Sequence, residues 1–168
     1  MKQSLYKLPI ILFCGCILSL TFLNCGDPSD VSSWSEKDLL EYGIPMTLVM
    51  PDSAKVNIVE WGIQKDITLV GDDWYNLQLF SARASTHDKK KLKAELLENV
   101  QQGRFFSEVT IDEEDGFVFA IQIDTLLNYD FRHVKIQGDQ EYIFQAGMSS
   151  SYDKDQINQL YQIAKEAY

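Results

Sequence analysis

Read for apolar and polar positions alone, the chain divides into three stretches. Residues 8–23 are apolar almost without interruption, broken by Pro9, Gly15 and a few small or polar residues. Residues 26–33 are small and polar, and from residue 34 onward apolar positions recur with regular periods. Ser35 as a cap, Leu39 and Leu40 as apolar positions and Gly43 as a stop predict a short helix over residues 35–42. From Met46 the period is two, with Met46, Leu48 and Met50 on one face, and Pro51, Asp52 and Ser53 end that strand. Residues 56–63, 67–70 and 74–84 continue in the same manner, the last two joined through Gly71, Asp72 and Asp73, which predicts an antiparallel meander.

The period then lengthens. Leu92, Leu96, Leu97 and Val100 recur at helical spacing up to Gly103, behind a cap at Ser85 or Thr86, so an amphipathic helix is expected. Alternation returns at Phe105, Ser107, Val109 and Ile111. After Asp115 and Gly116, the residues Phe117, Phe119, Ile121 and Ile123 line one strand face, which predicts a hairpin. Residues 131–136 and 142–146 form a second hairpin through Gly138 and Asp139. A last helix opens at Asp153, whose spacing to Gln156 is that of a capping box, and carries Ile157, Leu160, Tyr161, Ala164 and Tyr168 as its apolar stripe. The expected fold class is α+β: an antiparallel sheet covered by a central and a C-terminal helix, each hiding one apolar stripe. Residues 34–168 are enough for one core without disulfides.

The apolar stretch near the start reads as an export signal, residues 1–24. Lys2 and Lys7 precede it, and it stands at the short limit of a membrane-crossing helix, roughly 17 residues. An uncleaved transmembrane anchor is the second reading. All three cysteines, Cys14, Cys16 and Cys25, fall at or before its end. Cleavage before Cys25 leaves one cysteine at the new amino terminus, which cannot pair within its own chain. The stretch Leu20, Thr21, Phe22, Leu23, Asn24, Cys25 resembles the lipobox of bacterial lipoproteins, from which Phe22 and Asn24 depart. That resemblance implies a lipid on Cys25. Cys16 is the rival site, but cutting there leaves residues 17–23 as an exposed apolar tail. Residues 25–33 then serve as a flexible tether, in which Asp27 and Asp30 stand where acidic residues influence sorting between membranes.

Charge narrows the partners. The chain has 15 basic and 25 acidic residues, a net charge of -10, and losing Lys2 and Lys7 with the leader makes the remainder -12. Such a surface repels phosphate backbones and anionic headgroups, so no nucleic acid partner is expected and the tether rather than the surface holds the membrane.

Candidate chemistry is sparse. Asp112, Glu113, Glu114, Asp115 and Gly116 fail the spacing of a calcium loop, since Ile111 occupies the first ligand position, and read as a solvated hairpin turn. Asp72 and Asp73 are adjacent, which in a strand sends them to opposite faces. His87 begins a helix and His133 alternates with Phe131 and Lys135 as a surface or rim residue; neither has a companion at metal-ligand spacing. Ser149, Ser150 and Ser151 read as capping residues, and Gly147, Met148, Ser149, Ser150 only superficially resemble a nucleophile elbow. A hydrolase built from these serines with His133 or His87 is the least supported alternative. The cluster Lys89, Lys90, Lys91, Leu92, Lys93 reads as a solvated helix face. No catalytic, metal or cofactor site is expected.

The order of elements, with residues 43–45 leading into the first strand and residues 149–152 opening the last helix, resembles the Mog1/PsbP-like fold over residues 43–168. That resemblance implies an accessory protein docking on a larger partner. The expectation is therefore a non-enzymatic lipoprotein of the cell envelope, anchored to a bacterial membrane, the outer rather than the inner, and binding another envelope protein. A small-molecule or lipid-binding module, using aromatics in a groove between sheet and helices, is the alternative.

Overall fold

The computed structural model describes residues 34–71, 74–148 and 150–168. The expectations for the leader, Cys25, the tether, Asp72, Asp73 and Ser149 lie outside these residues. Strands take up 48% of the described residues and helices 22%, so the domain is mixed α/β and predominantly sheet.

In chain order the elements are β1 (Ser35–Asp38), a 3-10 turn (Leu40–Tyr42), β2 (Thr47–Met50), β3 (Lys55–Trp61), β4 (Gln64–Val70), β5 (Asn76–Arg83), α1 (Lys89–Gln101), β6 (Phe106–Asp112), β7 (Gly116–Ile123), β8 (Leu126–Gln137), β9 (Gln140–Ala146) and α2 (Lys154–Glu166). β3 to β9 form one seven-stranded sheet in the order β3-β4-β5-β9-β8-β7-β6, and every neighbouring pair is antiparallel. β1 and β2 make a separate hairpin.

The expected helix over residues 35–42 is instead strand β1, each residue of which pairs with β2, followed by a single 3-10 turn that Gly43 ends at φ +74°. Its residues Ser-Glu-Lys-Asp carry no apolar signal for a strand; pairing with β2 decides their conformation, as tertiary context often overrides propensity. The helix α1 is also capped differently. Asp88, not Ser85 or Thr86, accepts from the backbone N–H groups of Lys90 and Lys91. At α2 the capping box of Asp153 and Gln156 is formed as read, but Tyr168 lies beyond the helix and is exposed.

The main core lies between one face of the sheet and a layer made of α2 and the β1–β2 hairpin. Ile67, Leu69, Leu77, Leu79, Val118, Phe131, Phe144 and Ala146 face Leu39, Ile44, Met46, Leu48, Met50, Ile157, Leu160, Tyr161 and Ala164. The last residue closes this layer, for Thr47 and Tyr168 exchange backbone hydrogen bonds at 2.7 and 3.3 Å. Tyr161 sits edge-on to Phe131, and Gly116 opposite leaves room for its ring: a Cβ there would lie 2.6 Å from the Tyr161 hydroxyl.

The other face is closed only in part. Phe117, Phe119 and Val134 point away from α2 and are buried with Leu92 of α1. Leu96, Leu97 and Val100 of the expected stripe are only half-buried.

Candidate functional site

On the α1 side of the sheet, strand register places Val59 and Trp61 of β3, Asp66 of β4, Phe80 and Ala82 of β5, and Glu141 and Ile143 of β9 on one continuous surface. α1 does not reach these strands. Trp61 is 69% exposed and Val59 51%, while Phe80 and Ile143 are half-buried. An open groove of about 300 Å³ results, with Phe80, Ala82 and Ile143 as floor and Trp61 as one wall. Trp61 stands beside the two-residue turn Gly62 and Ile63, where Gly62 takes φ +68°, a conformation that favours glycine.

The polar groups around the groove are held in place. Gln78, nearly buried, donates through Nε2 to both oxygens of Asp66 at 2.9 and 3.0 Å and accepts from Gln145 at 2.8 Å. Glu141 accepts from the backbone N–H and hydroxyl of Ser85, both at 2.8 Å. Lys65, the neighbour of Asp66, points to the other face, where its ammonium lies 3.1 Å from Glu60 and donates to the Tyr42 carbonyl. The groove therefore offers an apolar floor with two oriented carboxylates at its rim, the chemistry that receives an apolar side chain flanked by a basic one.

At the same end of the sheet, the acidic run and the lysine cluster meet, which neither expectation of a solvated turn and a solvated helix face anticipated. Lys93 pairs with Asp112, Lys89 with Asp115 at 3.4 Å, Lys90 with Glu114 at 3.5 Å, and Lys165 of α2 with Glu113 at 2.7 Å. The Lys165 hydrogen bond holds the Glu113 carboxyl below its ordinary range, with the Tyr161 hydroxyl, 2.9 Å away, adding to the effect. The two charge runs are 19 or more residues apart in sequence and meet because β6 and β7 end in the acidic turn beside the start of α1, which packs on β8.

His133 corrects a further expectation. It is 4% exposed, not a rim residue, because the register puts it on the α2 side against Phe144 and Tyr161. Burial depresses its pKa to about 4; Asp115 opposes this and Lys135, Lys165 and Lys89 reinforce it. Its Nδ1 is 3.8 Å from Asp115 and makes no hydrogen bond, a separation too long for one. A small cavity of about 220 Å³ beside it is lined by Lys89, Asp115, Lys135 and Lys165. Each of these lysines is already engaged, Lys135 with the carbonyl of Ala167 at the end of α2.

Of the alternative hydrolytic set, the described serines and histidines stand apart. Tyr152, next to Ser151, bonds Asn128 and Tyr129 of β8, and His133 lies four residues further along that strand, roughly 13 Å away at ~3.3 Å per residue. His87 is exposed and faces Asp139 at 3.3 Å. Among the described residues no group of three or more His, Cys, Asp or Glu side chains stands in a metal-holding arrangement, and no helix is long and apolar enough to cross a membrane.

Besides this open groove, a cavity of about 440 Å³ lies between α2 and β2, lined by Val49, Asn158, Gln159, Gln162, Ile163 and Glu166, where a groove between sheet and helix was expected. The signal of the open groove in the sequence was Trp61 and Ile63 flanking a glycine turn, apolar residues at a place where turns are usually polar. No protein family model matches the chain, and no characterised protein aligns with it significantly.

Proposed function

We propose that this chain is a lipid-anchored protein of the bacterial cell envelope, held on the outer membrane through Cys25, and that it is a non-catalytic module binding another envelope protein through the open half of its sheet. The observation that carries this reading is the groove around Trp61. An exposed aromatic above an apolar floor, ringed by oriented polar groups, is the composition of an interaction hot spot. Its open form and a volume at the bottom of the range for small-molecule sites favour a macromolecular partner over the alternative of a small ligand. The Mog1/PsbP-like resemblance, an α+β domain with a central and a C-terminal helix covering the sheet, belongs to the same reading and brings with it the role of an accessory that docks on something larger.

The anchor is tested on the mature protein. Mass spectrometry of the processed chain should find a lipid-modified Cys25 at the amino terminus, and Cys25→Ser should release the protein from the membrane fraction. An unmodified Cys25 in a chain that still sediments with membranes would overturn the anchor.

A further inference from the structure

The strand register sorts the turns of the domain into two ends. One end carries the Gly62 turn, the acidic turn after Asp112, the Gly138 turn and the start of α1. The opposite end carries the end of β4, the start of β5, Gly147, Tyr152 and the tip of the β7–β8 hairpin. Trp34, where the described chain begins, lies at this second end, its ring 5.0 Å from Tyr75 and 5.5 Å from Trp74.

The β7–β8 hairpin outruns its neighbours there. His133 and Leu79 both pair with Phe144, so Phe131 is level with Ala146 and Leu77, and Leu126 stands five residues beyond, roughly 16 Å at ~3.3 Å per residue. Sheet twist leans the hairpin away from β5 by two or three strand steps without carrying it to the other end. Its tip is apolar: Ile123 is 47%, Leu126 74% and Leu127 48% exposed. Phe105 joins it, 44% exposed and tied by its carbonyl to the N–H of Gln122 at 2.8 Å. Ile123 and Leu126 lie on one face of the hairpin and Leu127 and Phe105 on the other. A rigid partner covers one face of such a tip, whereas a fluid acyl phase covers both.

We infer that the β7–β8 tip is a second membrane contact, dipping into the interfacial layer of the same bilayer that the Cys25 lipid engages. The inference rests on the lipid-anchor reading above. The chain between Cys25 and Trp34 spans at most roughly 30 Å when fully extended, so the end bearing Trp34 faces the membrane. The Arg104 guanidinium lies 5.2 Å from the Phe105 ring at the level of the tip, while the carboxylates of residues 112–115 are paired with lysines at the far end. Asp124, at the apex with φ +55°, keeps a carboxylate at headgroup depth and limits how far the tip enters. The groove around Trp61 then points away from the membrane, open to a partner.

The test uses the full, lipidated protein in phosphatidylcholine vesicles that carry a lipid-borne quencher. The native cysteines are at 14, 16 and 25, so a cysteine introduced elsewhere is the one free thiol of the mature chain. A polarity-sensitive dye is placed at Leu126→Cys and, as the control at the opposite end, at Ile63→Cys, which is equally exposed. The expected result is a blue shift and severalfold stronger quenching at 126 than at 63. Equal quenching in a chain whose Cys25 lipid is confirmed by mass would overturn the tip contact and leave the anchor standing. A chain without that lipid would remove both. Shielding of 126 only after envelope proteins are added would also overturn the inference, because the tip would then be a protein contact.

Discussion

The side of the sheet that carries α1 consists of two unlike halves. On β7 and β8, Phe117 and Val134 are closed beneath Leu92; on β3, β4, β5 and β9 the same pleat presents Val59, Trp61, Phe80 and Ile143 without a helix above them. The difference is one of dimensions. A 13-residue helix is roughly 20 Å long and about 10 Å wide, enough for two strands at ~4.8 Å spacing, while seven strands need three such widths. The opposite side has no such deficit, since α2, the β1–β2 hairpin and the chain end share the work. Among the described residues one helix lies on that side, so half of the sheet stays open there, and Trp61 stands exposed on it.

The contrast yields predictions of decreasing size. Phe117→Ala, in the covered half, should lower unfolding free energy by about 3–5 kcal/mol in chemical denaturation, as expected for a fully buried aromatic. A loss under ~1 kcal/mol would mean that α1 does not close that half. Next comes acid. His133 is held to about 4 in the folded chain against an ordinary 6.5, so the unfolded chain binds the extra proton between those values. Stability from this group is complete above pH 6.5 and is lost as pH falls toward 4, by on the order of 2–3 kcal/mol. Glu113, whose folded pKa is also depressed, acts in the same direction at lower pH. Replacing His133 with Phe, which suits its aromatic surroundings, should flatten denaturation midpoints between pH 6.5 and 4; an unchanged slope would assign the acid sensitivity elsewhere.

Smaller effects concern the ion pairs that tie α1 to the covered half. Lys93→Ala should cost about 1 kcal/mol, because its side chain is largely covered and stands over Phe117, whereas Lys90→Ala, fully at the surface, should cost less than ~0.5 kcal/mol. Melting in high salt should reduce that gap by screening. Smallest of all, Trp61→Ala should change stability by less than ~0.5 kcal/mol, since its ring covers little of the core. A loss of several kcal/mol would make Trp61 a packing residue and remove it from any binding surface.

The sheet was largely legible in the sequence because its strands alternate: β2, β5, β7 and β9 carry apolar residues at period two, and glycine or Asp-Gly marks most of their turns. The capping box at Asp153 was legible for the same local reason. What escaped depended on contacts remote in the chain. β1 has no apolar pattern and exists through β2. His133 is buried by helix α2, some 28 residues away, and alternation with Phe131 and Lys135 left its face undecided. The meeting of the lysine cluster with the acidic turn needs three strands and a helix to be placed first. The open groove was hidden for a related reason: a run such as Val59 and Trp61 reads as core until the number of covering helices is counted.

The most direct test of the account places a photo-crosslinking residue at position 61, in the groove, or at Glu98 on the exposed side of α1, in the native cell. One discrete envelope-protein adduct is expected from position 61, absent from position 98 and weakened when Cys25→Ser removes the anchor. Adducts of equal pattern from both positions, or none from position 61, would contradict the claim that the uncovered half of the sheet is a binding surface.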